Sequence, residues 1–203
     1  MAGSCTLASS GTVTVAGGYS DPSAYSTLIM TGTGKTLTAT PQIGNLTVSG
    51  SAILGAALSM SGDMTISGSL DVSSTPYNIT IAGSTWTNTG TFTPETGTVK
   101  FTETSGTIRV YGDNTWYVFD CEMPGISILF ENDKTQTILP GGTLKILGSS
   151  ASNIILSRIT GTYGDGLNWK LSDGAPPSAK VWKIDLRDGA TVEVPAASLV
   201  VGE

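Results

Sequence analysis

The chain has 203 residues, a formal charge of −6, only 13% charged residues, 26 glycines and no histidine. Without histidine there is no Ser-His, Cys-His or His-metal arrangement, which removes most hydrolase and zinc chemistry. Ten basic residues scattered through an acidic chain also argue against nucleic acid, which is held by Lys and Arg neutralising phosphates.

Ser and Thr fill the polar positions that enzymes usually give to Lys, Glu and Asp. Together with Gly this is a strand-and-turn composition. Uncharged hydroxyl residues tolerate close strand stacking, whereas like charges facing each other across a ladder repel. The length suits one all-β domain, a parallel β-solenoid or, as the alternative, a β-sandwich. No apolar run approaches the roughly 18–20 residues of a membrane span. Met1 to Cys5 carry neither the charged nor the apolar region of an export signal, so an extracellular setting places any such signal outside this chain. Cys5 and Cys121 are too far apart in sequence to make a disulfide framework; they are expected to be independent thiols, with a single disulfide as the alternative.

From about Thr36 to Gly83 a short unit recurs, polar and aliphatic residues alternating up to a glycine. It appears in Asn45-Leu46-Thr47-Val48-Ser49-Gly50, Ala57-Leu58-Ser59-Met60-Ser61-Gly62, Asp63-Met64-Thr65-Ile66-Ser67-Gly68 and Asn78-Ile79-Thr80-Ile81-Ala82-Gly83. The period of two puts Leu46 and Val48, or Met64 and Ile66, on one buried face. Each closing glycine is expected to supply a positive φ for a sharp corner. Strands this short cannot bury a face alone, so the units must stack on one another as a solenoid. With about 20–25 residues per coil and about 4.8 Å between coils, the chain would make roughly eight to ten coils and a rod about 40–50 Å long. A single solenoid domain over 1–203 is expected, with regular short coils over about 36–83 and wider, irregular ones over about 84–194.

In that second half the alternation continues with looser spacing, in Thr98-Val99-Lys100-Phe101, Thr107-Ile108-Arg109-Val110-Tyr111, Ile126 to Phe130, Thr143 to Gly148, Asn153 to Ser157 and Lys180 to Leu186. Pro94, Pro124, Pro140, Pro176 and Pro177 are expected between strands, where a missing N–H costs no ladder bond.

The run Ser84-Thr85-Trp86-Thr87-Asn88-Thr89-Gly90-Thr91-Phe92-Thr93-Pro94, followed by Gly97-Thr98-Val99-Lys100-Phe101, resembles the W-x-N-x-G-x-F-x-P and G-T-V-x-F signature of β-helix repeats in very large bacterial surface and secreted proteins, loosely akin to filamentous-haemagglutinin-type adhesins. The resemblance covers roughly Leu46 to Asp188. It implies architecture and an extracellular or cell-surface setting, and brings no catalytic residues. Trp86 and Phe92 are read as core aromatics.

On these grounds the expected role is structural and non-enzymatic: a rigid fibre, sheath or stalk that self-associates or continues into a longer chain, with neither nucleic acid nor an inserted membrane segment as partner. The alternative is an adhesin or carbohydrate-binding module, with Tyr111, Trp116, Tyr117, Tyr163 and Trp169 as a platform for a glycan. A polysaccharide-cleaving enzyme ranks third. Its carboxylates would come from Asp113, Asp120, Glu122, Glu131 and Asp133, or from Asp185 and Asp188 beside Arg187, and two of them must face each other across a cleft. No cofactor is expected. Calcium loop motifs are absent, Asp165-Gly166 and Asp173-Gly174 being turn dipeptides, which leaves at most a structural calcium ion. Threonine at alternate positions, in Thr36 to Thr40 and Thr85 to Thr93, brings ice binding to mind, but in sequence the arrays are irregular from coil to coil. Asn45-Leu46-Thr47 and Asn78-Ile79-Thr80 match the N-glycosylation pattern, which arises by chance in Thr-rich chains.

Overall fold

The computed structural model describes residues 27–38, 42–104 and 106–159 with their side chains. Of Ser4–Leu7, Thr12–Val15, Ala39, Asn168–Leu171, Ser178–Trp182, Ile184–Leu186 and Leu199–Val201 it describes the backbone alone.

Among the described residues the chain is all strand and turn. The strands pair into three sheets, and every named pairing is parallel and joins successive passes of the chain. The first sheet has nine strands, running from Ser4–Leu7 through Thr27–Met30, Asn45–Val48, Met64–Ile66, Thr85–Asn88, Thr107–Tyr111, Ser127–Phe130 and Ile154–Arg158 to Ile184–Leu186. The second has five, Thr12–Val15, Lys35–Ala39, Ser51–Leu54, Ser69–Asp71 and Thr91–Thr93. The third runs from Leu58–Met60 through Ile79–Ile81, Thr98–Phe101, Asn114–Cys121, Thr135–Leu147 and Ser178–Trp182 to Leu199–Val201, with Asn168–Leu171 also beside Thr135–Leu147.

This is a parallel β-solenoid. Leu46 pairs with Met64, Met64 with Trp86, Trp86 with Val110, Val110 with Phe130 and Phe130 with Arg158, five turns of 18, 22, 24, 20 and 28 residues. Among the described residues the second sheet has no strand after Thr91–Thr93. The eight-residue strand Asn114–Cys121 starts beside it and runs on into the third sheet.

Alternation sets the core. Along the third sheet Leu58, Ile79, Val99, Phe119 and Leu144 stack in one inward column, and Met60, Ile81, Phe101, Cys121 and Ile146 in the next. All ten are at most 2% exposed. The early turns are filled by aliphatic side chains and methionines, and the later ones by rings. Trp86 lies 5.0 Å from both Phe92 and Trp116, Trp116 lies 5.3 Å from Phe119, and Phe119 lies 5.1 Å from Phe101. Bulkier side chains fill the larger cross-section of a longer turn at the density a protein interior requires.

The corner glycines are where expected, for a different reason. Gly50, Gly62, Gly68 and Gly83 are not among the positive-φ residues, which include Gly34, Gly112, Gly125 and Gly141. They are required by stacking: a Cβ on Gly50 would collide with the Gly32 carbonyl oxygen, one on Gly68 with that of Gly50, one on Gly90 with that of Gly68, and one on Gly83 with that of Gly62. Gly32, Gly50, Gly68 and Gly90 thus form one corner repeated over four rungs.

Pro140 departs from expectation by lying inside a strand, Thr135–Leu147. The register against Asn114–Cys121 shifts there: Trp116 pairs with Ile138 but Val118 with Thr143. Pro140 and Gly141 occupy the resulting bulge, where no ladder hydrogen bond is asked of the proline. Pro94 and Pro124 lie between strands, and Pro176 and Pro177 lie outside the described residues.

Candidate functional site

The motif that carries the family resemblance is accounted for by coil geometry. Trp86 and Phe92 point inward and are 0% and 6% exposed. The Trp86 indole Nε1–H donates to Asn114 Oδ1 at 2.8 Å. Asn88, 5% exposed, accepts the Gly90 N–H on Oδ1 at 3.2 Å and donates Nδ2–H to the Asp113 carbonyl at 3.3 Å, closing the corner and tying it to the next turn. Gly90 extends the glycine column, the Pro94 carbonyl accepts the Gly97 N–H, and Val99 and Phe101 enter the core.

Of the five aromatics expected to form a glycan platform, Tyr111, Trp116 and Tyr117 are described with their side chains, and these three do not share one face. Trp116 is 0% exposed, and its indole Nε1–H donates to buried Gln136 Oε1 at 3.0 Å. It faces inward in alternation with Asn114, and the inward phase switches at Tyr117 and Val118, where the register against the next strand shifts, so that Phe119 is buried as well. Tyr111 is half-buried on the first sheet, in register with Thr87. Tyr117 is half-buried beside the Leu139–Gly142 bulge; a Cβ on Gly141 would sit 3.5 Å from its hydroxyl. The two tyrosines belong to different sheets. Tyr163 lies outside the described residues, as does the side chain of Trp169, whose backbone is in register with Gln136.

Of the candidate carboxylates, Asp120 and Glu122 converge with two lysines. Lys100, Asp120 and Lys145 occupy one outward column on three successive rungs of the third sheet, and Glu122 lies two residues beyond Asp120 on the same face. Lys100 Nζ is 3.1 Å from Glu122 and 3.6 Å from Asp120; Lys145 Nζ is 2.8 Å from Glu122 and 3.8 Å from Asp120. Hydrogen bonds from the two ammonium groups, Lys145 first, hold Glu122 below the usual carboxylate range. Asp120 shifts the other way, because burial outweighs the attraction of the lysines. Its Oδ1 is buried and accepts no hydrogen bond among the described residues. The signal for the lysines was present in sequence: Thr98-Val99-Lys100-Phe101, Val118-Phe119-Asp120-Cys121 and Thr143-Leu144-Lys145-Ile146 align position for position, so charges of alternating sign meet at the third place of each.

The other carboxylates hold turns. Asp113 accepts the Thr135 N–H at 2.7 Å and pairs with Lys134 at 3.3 Å, and the backbone hydrogen bond is the main cause of its lowered pKa. Glu131 accepts the Gly112 N–H at 2.7 Å. Asp133 is exposed in a left-handed turn, φ 58°. Asp185 is described by its backbone only, and Arg187, Asp188 and both Asp-Gly dipeptides lie outside the described residues. Among the described residues no three His, Cys, Asp or Glu side chains gather in a way that could hold a metal ion. With each lysine engaged by both acids, the four-membered network ties three rungs together and presents no cleft-spanning carboxylate pair.

Cys121 is a buried free thiol, and burial pushes its pKa up to about 12. The two glycosylation patterns have different surroundings. Asn45 is locked in a corner, donating to Thr27 Oγ1 at 3.4 Å and accepting the Asp63 N–H at 2.7 Å, while Asn78 is exposed and accepts the Thr98 N–H at 3.1 Å.

On three rungs of the first sheet the outward hydroxyl residues repeat, between Ile29 on the rung before and Tyr111 on the rung after. Thr47, Thr65 and Thr87 stand in one column by direct pairing. Two residues along, Ser49, Ser67 and Thr89 each donate their N–H to the turn before, to Met30, Val48 and Ile66, and are exposed.

No family model, no curated protein and no solved structure matches this chain.

Proposed function

We propose that this chain is a structural unit of an extracellular or cell-surface protein, serving as a stiff rod rather than as a catalyst, in the manner of the β-helix repeats of large bacterial surface proteins. The observation that carries this reading is the first sheet, nine parallel strands without a break in pairing. Backbone hydrogen bonds then run along the axis from turn to turn, so that bending or stretching the rod strains many of them together. The residues of the W-x-N-x-G-x-F-x-P run serve core and corners, which favours an architectural motif over a ligand-binding one.

Any rung that ends such a stack presents a row of unpaired N–H and C=O groups, and pairing with another chain or with more of the same polypeptide satisfies them. Self-association is therefore the expected partnership. The test is negative-stain electron microscopy of the purified chain over a concentration series, with light scattering on the same samples. Filaments of constant width that lengthen with concentration are expected. A particle that stays monomeric up to its solubility limit would overturn the self-assembly reading.

A further inference from the structure

We propose that Lys100 and Asp120 join slowly in the folded chain through a covalent amide, a cross-link between successive rungs, with Glu122 moving the protons. This inference stands apart from the fibre reading and rests on the geometry of the ion network. Lys100 and Asp120 are register partners on neighbouring strands, about 4.8 Å apart along the axis, and their side chains already meet. Lys100 Nζ is 3.6 Å from Asp120 Oδ2, and its flexible four-carbon stem can cover the rest. Glu122 accepts a hydrogen bond from the same Nζ at 3.1 Å. The Asp120 side chain is 10% exposed against 32% for Glu122, and its Oδ1 is buried without a donor among the described residues. A buried acceptor left unpaired costs stability. An amide keeps one of the two carboxyl oxygens and carries no charge, so it suits this position better than the carboxylate does.

The surroundings divide the roles. Burial raises the pKa of Asp120 and favours the protonated acid that an amine can attack, while hydrogen bonds from Lys145 and Lys100 keep Glu122 ionised as the base. Glu122 carries two protons in turn from Lys100 Nζ to one oxygen of Asp120. After the first transfer the amine attacks Asp120 Cγ; after the second the C–O bond breaks and that oxygen leaves as water. One ammonium and one carboxylate become one amide and one water, with the net charge unchanged and no oxidant or activating group consumed. Lys145 Nζ, 3.8 Å from Asp120 Oδ2, stays charged and faces the oxygen on which negative charge collects during the attack. Lys100 is itself held charged, first by its hydrogen bond to Glu122, so the free amine is scarce and the reaction slow. The ion network is the state of the fresh protein and the amide its product. The Lys134–Asp113 pair is closer, at 3.3 Å, yet Asp113 is 64% exposed and no second carboxylate pairs with Lys134 among the described residues, so that pair should remain ionic.

The experiment is intact-mass spectrometry of the whole purified chain, fresh and after prolonged incubation at neutral pH. Incubated wild type is expected to weigh one water molecule less than its sequence mass, and trypsin should release a branched peptide that joins Lys100 to Asp120 and is uncut after Lys100. Lys100→Arg and Glu122→Gln should keep the full mass over the same period, with circular dichroism checking their fold, and Lys134→Arg should lose the water as wild type does. A wild type that holds its full mass overturns the proposal. So does a loss that persists in folded Lys100→Arg, which would assign it to an aspartate closing on its own backbone as a succinimide, or a branch at Lys145 in place of Lys100.

Discussion

Replacing Gly68 by alanine tests whether the corners are governed by stacking. The added Cβ would collide with the Gly50 carbonyl oxygen and lie 2.7 Å from the Ser49 carbonyl carbon, both backbone atoms that cannot rotate away. Relief requires the two rungs to separate locally, at the expense of the bonds from Ser67 and Gly68 to the Val48 carbonyl, 2.9 Å each, and from Ser69 to the Gly50 carbonyl, 2.8 Å. Losing two or three backbone hydrogen bonds at about 0.5–1.5 kcal/mol each amounts to about 1–4.5 kcal/mol. The entropy gained by removing a glycine from the unfolded chain offsets only about 0.4–1 kcal/mol. Gly106 is the control: a Cβ there meets nothing within 4 Å and its φ is not positive, so Gly106→Ala should be neutral or stabilise by up to about 1 kcal/mol. Equilibrium urea unfolding of the two variants beside wild type reads the difference. If Gly68→Ala lies within about 0.5 kcal/mol of wild type, or if the two variants lose stability equally, steric stacking is not what selects glycine at this corner.

Asp120→Asn should raise stability relative to wild type as pH rises. The folded-state pKa of Asp120 is raised by burial, so its ionisation is resisted more in the folded than in the unfolded chain, and stability is lost as pH climbs from the ordinary Asp value through the raised one. Glu122 has the opposite sign, its lowered pKa giving stability that is present at neutral pH and lost as pH falls; urea midpoints between pH 3 and pH 8 for D120N and E122Q should therefore diverge in opposite directions from wild type. Trp116→Phe should cost about 1–3 kcal/mol by leaving buried Gln136 Oε1 without its donor, and adding Gln136→Leu should recover part of it; equal losses in the single and double variants would show the hydrogen bond to be immaterial. Iodoacetamide should label Cys121 only after denaturation, since the thiol is buried and held at a pKa of about 12; peptide mass mapping showing labelling of the native protein at pH 8 would contradict the burial.

The first and third sheets were legible because their strands alternate cleanly and stop at glycine, as in Asn45–Val48, Met64–Ile66 and Ile79–Ile81. The second sheet was harder to see, since Ser51–Leu54 and Ser69–Asp71 offer only two inward residues or one, too few for a period to show. Thr27–Met30 escaped because Leu28, Ile29 and Met30 are apolar in a row. The ion network joins residues across turns of 20 and 25 residues, and it is seen in sequence only once the three strands are aligned position for position. Asn114–Cys121 changes its inward phase between Trp116 and Phe119, so a single alternation counted back from Phe119 puts Trp116 outside, and the burial of Trp116 was hidden in sequence.

The unequal turns change the girth of this rod without changing how its length is counted. Five passes of the first sheet use from 18 to 28 residues yet each adds one strand to the same ladder, a step of about 4.8 Å. Extra residues leave the axis sideways, into bulges such as Leu139–Gly142 and into longer corners. A gene encoding such a chain can therefore gain or lose residues within a turn and still specify the same reach, while duplicating one turn lengthens the object by a fixed increment. Reach is digital and thickness is free to vary, which suits a molecule whose task is to span a distance.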